Sequence, residues 1–85
     1  MSRSQSVEDY LKAIYKLENE SEDGVSNSKL SQEMNVAGAS VTNMVKRLSK
    51  MGLVNYESYY GSRLTDAGEK IALEIIRHHR LIELY

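Results

Sequence analysis

Residues 25–64 follow one order: a short helix, a tight turn, a second helix with a basic outer face, then two short strands around a glycine. Few folds accommodate that order in forty residues. It is the pattern of a winged helix-turn-helix, mostly α with a small β wing.

The individual signals agree with it. Ser26 can cap a helix that buries Leu30 and Met34. Asn35-Val36-Ala37-Gly38 makes a turn, and the next helix runs to Met51 with Gly52 as its stop. Val41, Met44, Val45 and Leu48 form the inner stripe of that helix. At 100° per residue the opposite face holds Ala39, Asn43, Lys46 and Lys50, flanked by Ser40, Thr42 and Arg47. Ala37 and Gly38 are small where a capping Ser or Thr is expected, so the start of this helix is weakly held. Leu53-Val54-Asn55-Tyr56-Glu57 reads as a strand, residues 58–61 as its turn, and Ser62-Arg63-Leu64 as the return strand.

The first helix is SVEDYLKAIYKLENE, with Val7, Tyr10, Leu11, Ile14 and Leu17 on one stripe. Ser6 is its expected N-cap, and Glu8 and Asp9 suit the positive end of the helix dipole. Thr65 is expected to cap a last helix. Ala67, Ile71, Ile75 and Ile82 line one of its faces, with Ala72 and Ile76 beside them. Leu73, Leu81 and Leu84 lie round another side, and a helix apolar on most sides is normally covered on most sides. No Gly, Asn or Pro stops it. The expected division is therefore a winged helix-turn-helix domain over residues 1–64 and, over 65–85, a helix leading into a second domain or a partner subunit that the chain lacks.

With 85 residues the chain holds one domain, or one domain and a fragment of the next. No cysteine is present, which removes disulfides, thiolate nucleophiles and zinc–thiolate sites. The two histidines are adjacent and no glycine-rich phosphate loop occurs, so an enzyme is not expected. No run is apolar enough for a membrane span or a signal peptide, and a cytoplasmic protein is the default.

A formal net charge of −1 is unusual for a nucleic-acid binder, but it is an average over two unlike ends. Residues 37–63 carry Lys46, Arg47, Lys50 and Arg63 against Glu57 alone, whereas residues 8–23 carry six acids against Lys12 and Lys16. Small and amide side chains lie near the start of the basic helix and cations near its end. Asn reads adenine bidentately, small residues admit base edges, and cations meet phosphates. Ala37, Ala39, Ser40, Asn43, Lys46, Arg47 and Lys50, with Tyr59, Tyr60 and Arg63 on the wing, are the candidate contacts to double-stranded DNA.

Five collinear pieces of the chain together resemble the N-terminal part of the diphtheria toxin repressor family of iron- or manganese-dependent transcriptional repressors. They are SVEDYLKAIYKLE, VSNSKLSQEMNV, SVTNMVKRLSKMGLV, YESYYGSRLTDAGEKIA and IIRHHRLIELY. The resemblance implies a homodimer on a palindromic operator, controlling metal-uptake genes, with Mn2+ or Fe2+ held between this domain and a second, helical one. The family's ligands in this half fall on Asp9, His79 and Glu83. Members that favour iron often have a thioether where Asp9 stands, so Asp9 tilts towards manganese. Lys12 stands where some manganese sensors have a second acid, which puts a two-metal site in doubt. Ligation needs neutral imidazole, so metal affinity is expected to fall below about pH 6.5.

Each site has an ordinary alternative. Asp9 can be a capping partner of Ser6 or a solvated acid, and His79 and Glu83, four apart on one helix face, an ion pair. His78 sits nearer the inner stripe and reads as packed. The face around Asn43 can be simply solvated, and Tyr59-Tyr60 a sticky turn. The competing functions are a winged-helix regulator without metal and a winged-helix protein-interaction module.

Overall fold

The computed structural model describes residues 5–20, 24–57 and 60–83, with side chains through residue 78. Among these, four helices and one hairpin follow in the order α1 (Gln5–Glu20), α2 (Asn27–Met34), α3 (Gly38–Lys50), β1 (Val54–Glu57), β2 (Gly61–Leu64) and α4 (Asp66–Glu83).

The core lies where α1 crosses the other helices. Val7, Tyr10, Leu11, Ala13 and Ile14 of α1 meet Leu30 of α2, Val41, Val45 and Leu48 of α3, Val54 and Leu64 of the hairpin, and Ala72 of α4. Leu11, Ile14, Leu30 and Leu48 are fully enclosed, each contributing about 1.5–3 kcal/mol by burial. Leu17, Met34 and Met44, expected inside, are only half-buried against this cluster.

Local chemistry sets most of the boundaries. The Ser26 hydroxyl accepts from Lys29 N at 3.1 Å and caps α2. Asn35 ends α2 in the left-handed region, φ 56°, which Asn tolerates better than other side-chain-bearing residues. After α3, Met51 caps it and Gly52 turns the chain at φ 77°. Thr65 then ties three segments together. Its hydroxyl donates to Gly52 O at 2.7 Å and accepts from Gly68 N at 3.1 Å, while its own N–H donates to Leu53 O at 3.0 Å.

The hairpin is antiparallel, with Val54 opposite Leu64, Asn55 opposite Arg63 and Tyr56 opposite Ser62. Val25 adds a third short rung on the far side of β2, exchanging both backbone hydrogen bonds with Ser62 at 2.8 and 2.9 Å. On the same side, Glu18 of α1 accepts from Leu64 N at 3.1 Å. Gly61 takes φ 79° and packs so tightly on Val25 that a Cβ would lie 2.3 Å from its carbonyl oxygen.

Four local expectations are corrected. Ser6 is not the N-cap of α1, because the helix already includes Gln5 and Ser6 lies in its first turn. Gly61 belongs to β2 rather than to the turn. Ala67 is exposed, since α4 turns Gly68, Ala72 and Ile75 inward instead. For the same reason His78 is exposed, not packed. The expectations for Leu81, Ile82 and Leu84 lie outside the described side chains.

Gly68→Ala should destabilise the fold by about 1–3 kcal/mol, the usual cost of overpacking, because its Cβ would lie 2.0 Å from the Leu53 carbonyl oxygen. Gly38→Ala, with nothing within 4 Å of the new Cβ, should be neutral or stabilising by up to about 1 kcal/mol. Urea unfolding of the two variants checks both.

Stability should also decline at alkaline pH. Burial raises the Tyr10 hydroxyl above its usual 10.0, and the hydrogen bond and charge of Glu33 raise Lys16 above 10.5. Over both windows the unfolded chain binds fewer protons than the folded one. The stabilisation is thus complete below pH 10 and lost as pH rises through the folded values, which thermal melts between pH 9 and 12 would follow.

Candidate nucleic-acid interface

The outer face of α3 is built by what its inner face must do. Val41, Val45 and Leu48 are buried, so the helix presents Ala39, Ser40, Asn43, Lys46, Arg47 and Lys50 to solvent, all of them exposed. Ala37 is the N-cap in extended conformation and makes no side-chain cap. The start of α3 is held from its flank instead. Thr42 Oγ1 donates to Gly38 O at 3.1 Å, and Asn27 Nδ2 donates to Thr42 Oγ1 at 3.3 Å, linking α2 to α3. Thr42 is thereby half-buried and engaged within the protein, which sets it apart from its exposed neighbours.

Residues 37–40 therefore form an open, nearly side-chain-free helix entrance. Gly38 has a negative φ and no close neighbour, so neither backbone conformation nor packing requires glycine there. Its absence of side chain leaves the backbone open to close approach. The cations follow towards the end of the helix, with Arg47 and Lys50 in its last turn, where they also suit the helix dipole.

The wing carries the other candidates. Tyr60 is 68% exposed at its tip, and Arg63 is exposed on β2 between buried Ser62 and Leu64. The register sets Asn55 opposite Arg63 on the same outward face, a polar neighbour that sequence reasoning missed. Strand pairing, which the residue pattern leaves undefined, was needed to find it. Tyr59 lies outside the described residues.

Asp9 sits elsewhere. It lines a groove between α1, α2 and α4 with Lys12, Ala13, Lys16, Glu33, Met34 and Ile76. Gln5 Nε2 donates to its carboxylate at 3.0 Å, and the Lys12 ammonium stands 3.9 Å away. Lys16 closes on Glu33 at 2.9 Å, tying α1 to α2. His79 and Glu83 are on α4, but their side chains lie outside those described. The helix begins just after Leu64, beside Glu18, and reaches the Asp9 groove at Ile76. It thus runs back along α1, and position 79 follows Ala72 and Ile75 at helical spacing. Among the described residues no three His, Cys, Asp or Glu form a metal-binding group.

Residues 3–62 match the family described as iron dependent repressor, N-terminal DNA binding domain. The chain belongs to this family. The resemblance noted from the sequence and the winged-helix fold are both borne out. Over 82 residues this repressor domain is 39% identical to an uncharacterized HTH-type transcriptional regulator of Methanocaldococcus jannaschii, covering 96% of the chain and 66% of the relative. It is 37% identical over 81 residues to the HTH-type transcriptional regulator MntR of Lysinibacillus sphaericus, covering 94% of the chain and 57% of the relative. Among solved structures, ScaR with bound Zn2+ superposes with a TM-score of 0.78 at 38% identity, covering 91% of this chain and 35% of that one. The manganese regulator SloR superposes with a TM-score of 0.76 at 37% identity, covering 98% and 37%. The chain thus spans between half and two-thirds of its curated relatives, which are transcriptional regulators and not enzymes.

The openness at Gly38 makes a test that separates fold from recognition. Gly38→Gln should keep its melting temperature within a few degrees yet weaken duplex DNA binding about tenfold or more, the scale of a lost base contact. Anisotropy titration beside a thermal melt reads both quantities.

Proposed function

We propose that this chain is the DNA-reading part of a metal-responsive transcriptional repressor of the cytoplasm. In this reading α3 enters the major groove and the wing lies along the backbone. The observation that carries it is the exposed α3 face: small residues and Asn43 at the start, Lys46, Arg47 and Lys50 beyond. Asn43 and Ser40 read base edges, with Ala37 and Ala39 allowing close approach. The cations, Tyr60 and Arg63 meet sugar-phosphate. Residues 65–85 lead towards a second, helical part through which the working protein forms a homodimer on a palindromic operator upstream of metal-uptake genes.

For the metal, Asp9, His79 and Glu83 are the proposed ligands on this chain. Asp9 fits as an oxygen donor for a hard divalent ion, Mn2+ or Fe2+, because its carboxylate lines an open groove and is oriented by Gln5. When bound, the ion would supply positive charge joining α1 and α4 to the second part of the protein. The names of SloR, a manganese regulator, and of ScaR, solved with Zn2+, support a divalent ion. One carboxylate among the described side chains does not make a tight site, so further ligands come from outside the groove.

Titrating the chain onto a labelled duplex from upstream of its own gene tests the reading. The expected result is a weak complex whose affinity falls steeply between about 0.05 and 0.2 M salt, as phosphate contacts require. Mn2+ should change it little for these 85 residues alone. Lys46→Ala and Lys50→Ala should each reduce the slope of log affinity against log salt by about one. Asn43→Ala should weaken binding to some sequences more than others. Unchanged slopes in both lysine variants would remove α3 from the interface.

A further inference from the structure

Among the described residues, the groove beside Asp9 is electrically balanced. Its described charged lining consists of the carboxylates of Asp9 and Glu33 and the ammoniums of Lys12 and Lys16. Lys16 is committed to Glu33 at 2.9 Å across the α1–α2 contact. That leaves Lys12 facing Asp9 at 3.9 Å, one helical turn along the same face of α1. Neither side chain is freely solvated, at 30% exposed for Lys12 and 43% for Asp9. An ammonium has three donors and no acceptor, so Lys12 can neutralise Asp9 but can never join it in holding a metal.

We infer that Lys12 is a tethered cation that competes with a divalent ion for Asp9 and so raises the ion concentration at which the groove fills. The inference rests on the reading of Asp9 as a metal ligand and adds a residue that sets the threshold of response. Its physical basis is charge. A divalent ion arriving at the Asp9 carboxylate meets the Lys12 ammonium within about 4 Å, where repulsion between unit charges is already appreciable even in water. Either the ion binds against that repulsion or Lys12 gives up its ion pair and swings into solvent. Both lower the affinity. The geometry also assigns the effect to Lys12 rather than Lys16, because Lys16 has a closer partner of its own.

The test is equilibrium binding of Mn2+ alone to the full chain at low ionic strength, read from the electron paramagnetic resonance signal of the free ion. It is run on the wild type, Lys12→Gln, Lys12→Arg, Asp9→Asn and the double variant Lys12→Gln/Asp9→Asn, each checked for native circular dichroism. Lys12→Gln should bind about tenfold more tightly than the wild type, since a divalent ion escapes roughly twice the unit-charge repulsion. Lys12→Arg keeps the charge and should bind as the wild type does. The double variant should lose the gain entirely. Wild-type affinity in Lys12→Gln, alongside weakening in Asp9→Asn, would overturn the role of Lys12 and leave Asp9 as a ligand. A gain that survives Asp9→Asn would place the effect elsewhere and overturn the inference as well. No Asp9-dependent binding in any variant, Lys12→Gln included, would bring down both the inference and the metal reading of Asp9.

Discussion

The junction around Thr65 is the constraint on which the rest of the molecule depends. One hydroxyl receives the first turn of α4 and bonds the carbonyl at the end of α3, while the adjoining N–H holds Leu53 at the entrance to β1. Gly68 lies so close to the Leu53 carbonyl that even a methyl group has no room at the start of α4. These contacts fix where α3 stops, where the wing begins and in which direction α4 departs. They also place α4 back along α1, which brings Ile76 to the Asp9 groove. The two candidate sites are therefore connected through a backbone junction rather than through each other.

The two sites follow opposite electrostatic designs. The α3 face carries exposed cations beyond an entrance kept free of bulk, which suits a long polyanion met at a distance and then docked closely. Among the described residues the groove holds equal numbers of opposite charges, paired within the protein before any ligand arrives. Among the described residues, attraction of a polyanion at long range therefore belongs to the α3 face. Any response to an ion has to come from short-range coordination that outcompetes an existing ion pair. The near-zero net charge of the chain also counts acids outside both sites, Glu18, Glu20 and Glu22 among them, and describes neither design.

Flanking contacts replace the missing cap of α3. Ala37 offers no side chain to the first N–H groups, yet the helix starts where the turn residues indicate. The Asn27–Thr42–Gly38 chain of hydrogen bonds fastens its first turn to α2, so the entrance is held without placing a polar cap where DNA would approach. That leaves the first turn of α3 open and its orientation governed by α2. The Lys16–Glu33 pair in turn fastens α2 to α1.

Helical and strand periods were legible because burial on one face repeats along a single element. The inner stripe of α3, the caps Ser26 and Thr65, the stop at Gly52 and the two strands of the wing all follow from neighbours within a few residues. The misreadings of Ala67 and His78 share one cause. A helix apolar on several sides does not reveal by itself which side is covered. Packing of α4 against α1 decided that Gly68, Ala72 and Ile75 face inward and that His78 does not. The sequence by itself thus determined the elements, the family and the charged face of α3, since these are written in local pattern. Only the tertiary structure paired Lys16 with Glu33, Asn55 with Arg63 and Thr65 with Gly52, because the strength of such pairings depends on distance in space, and the chain order alone does not contain it.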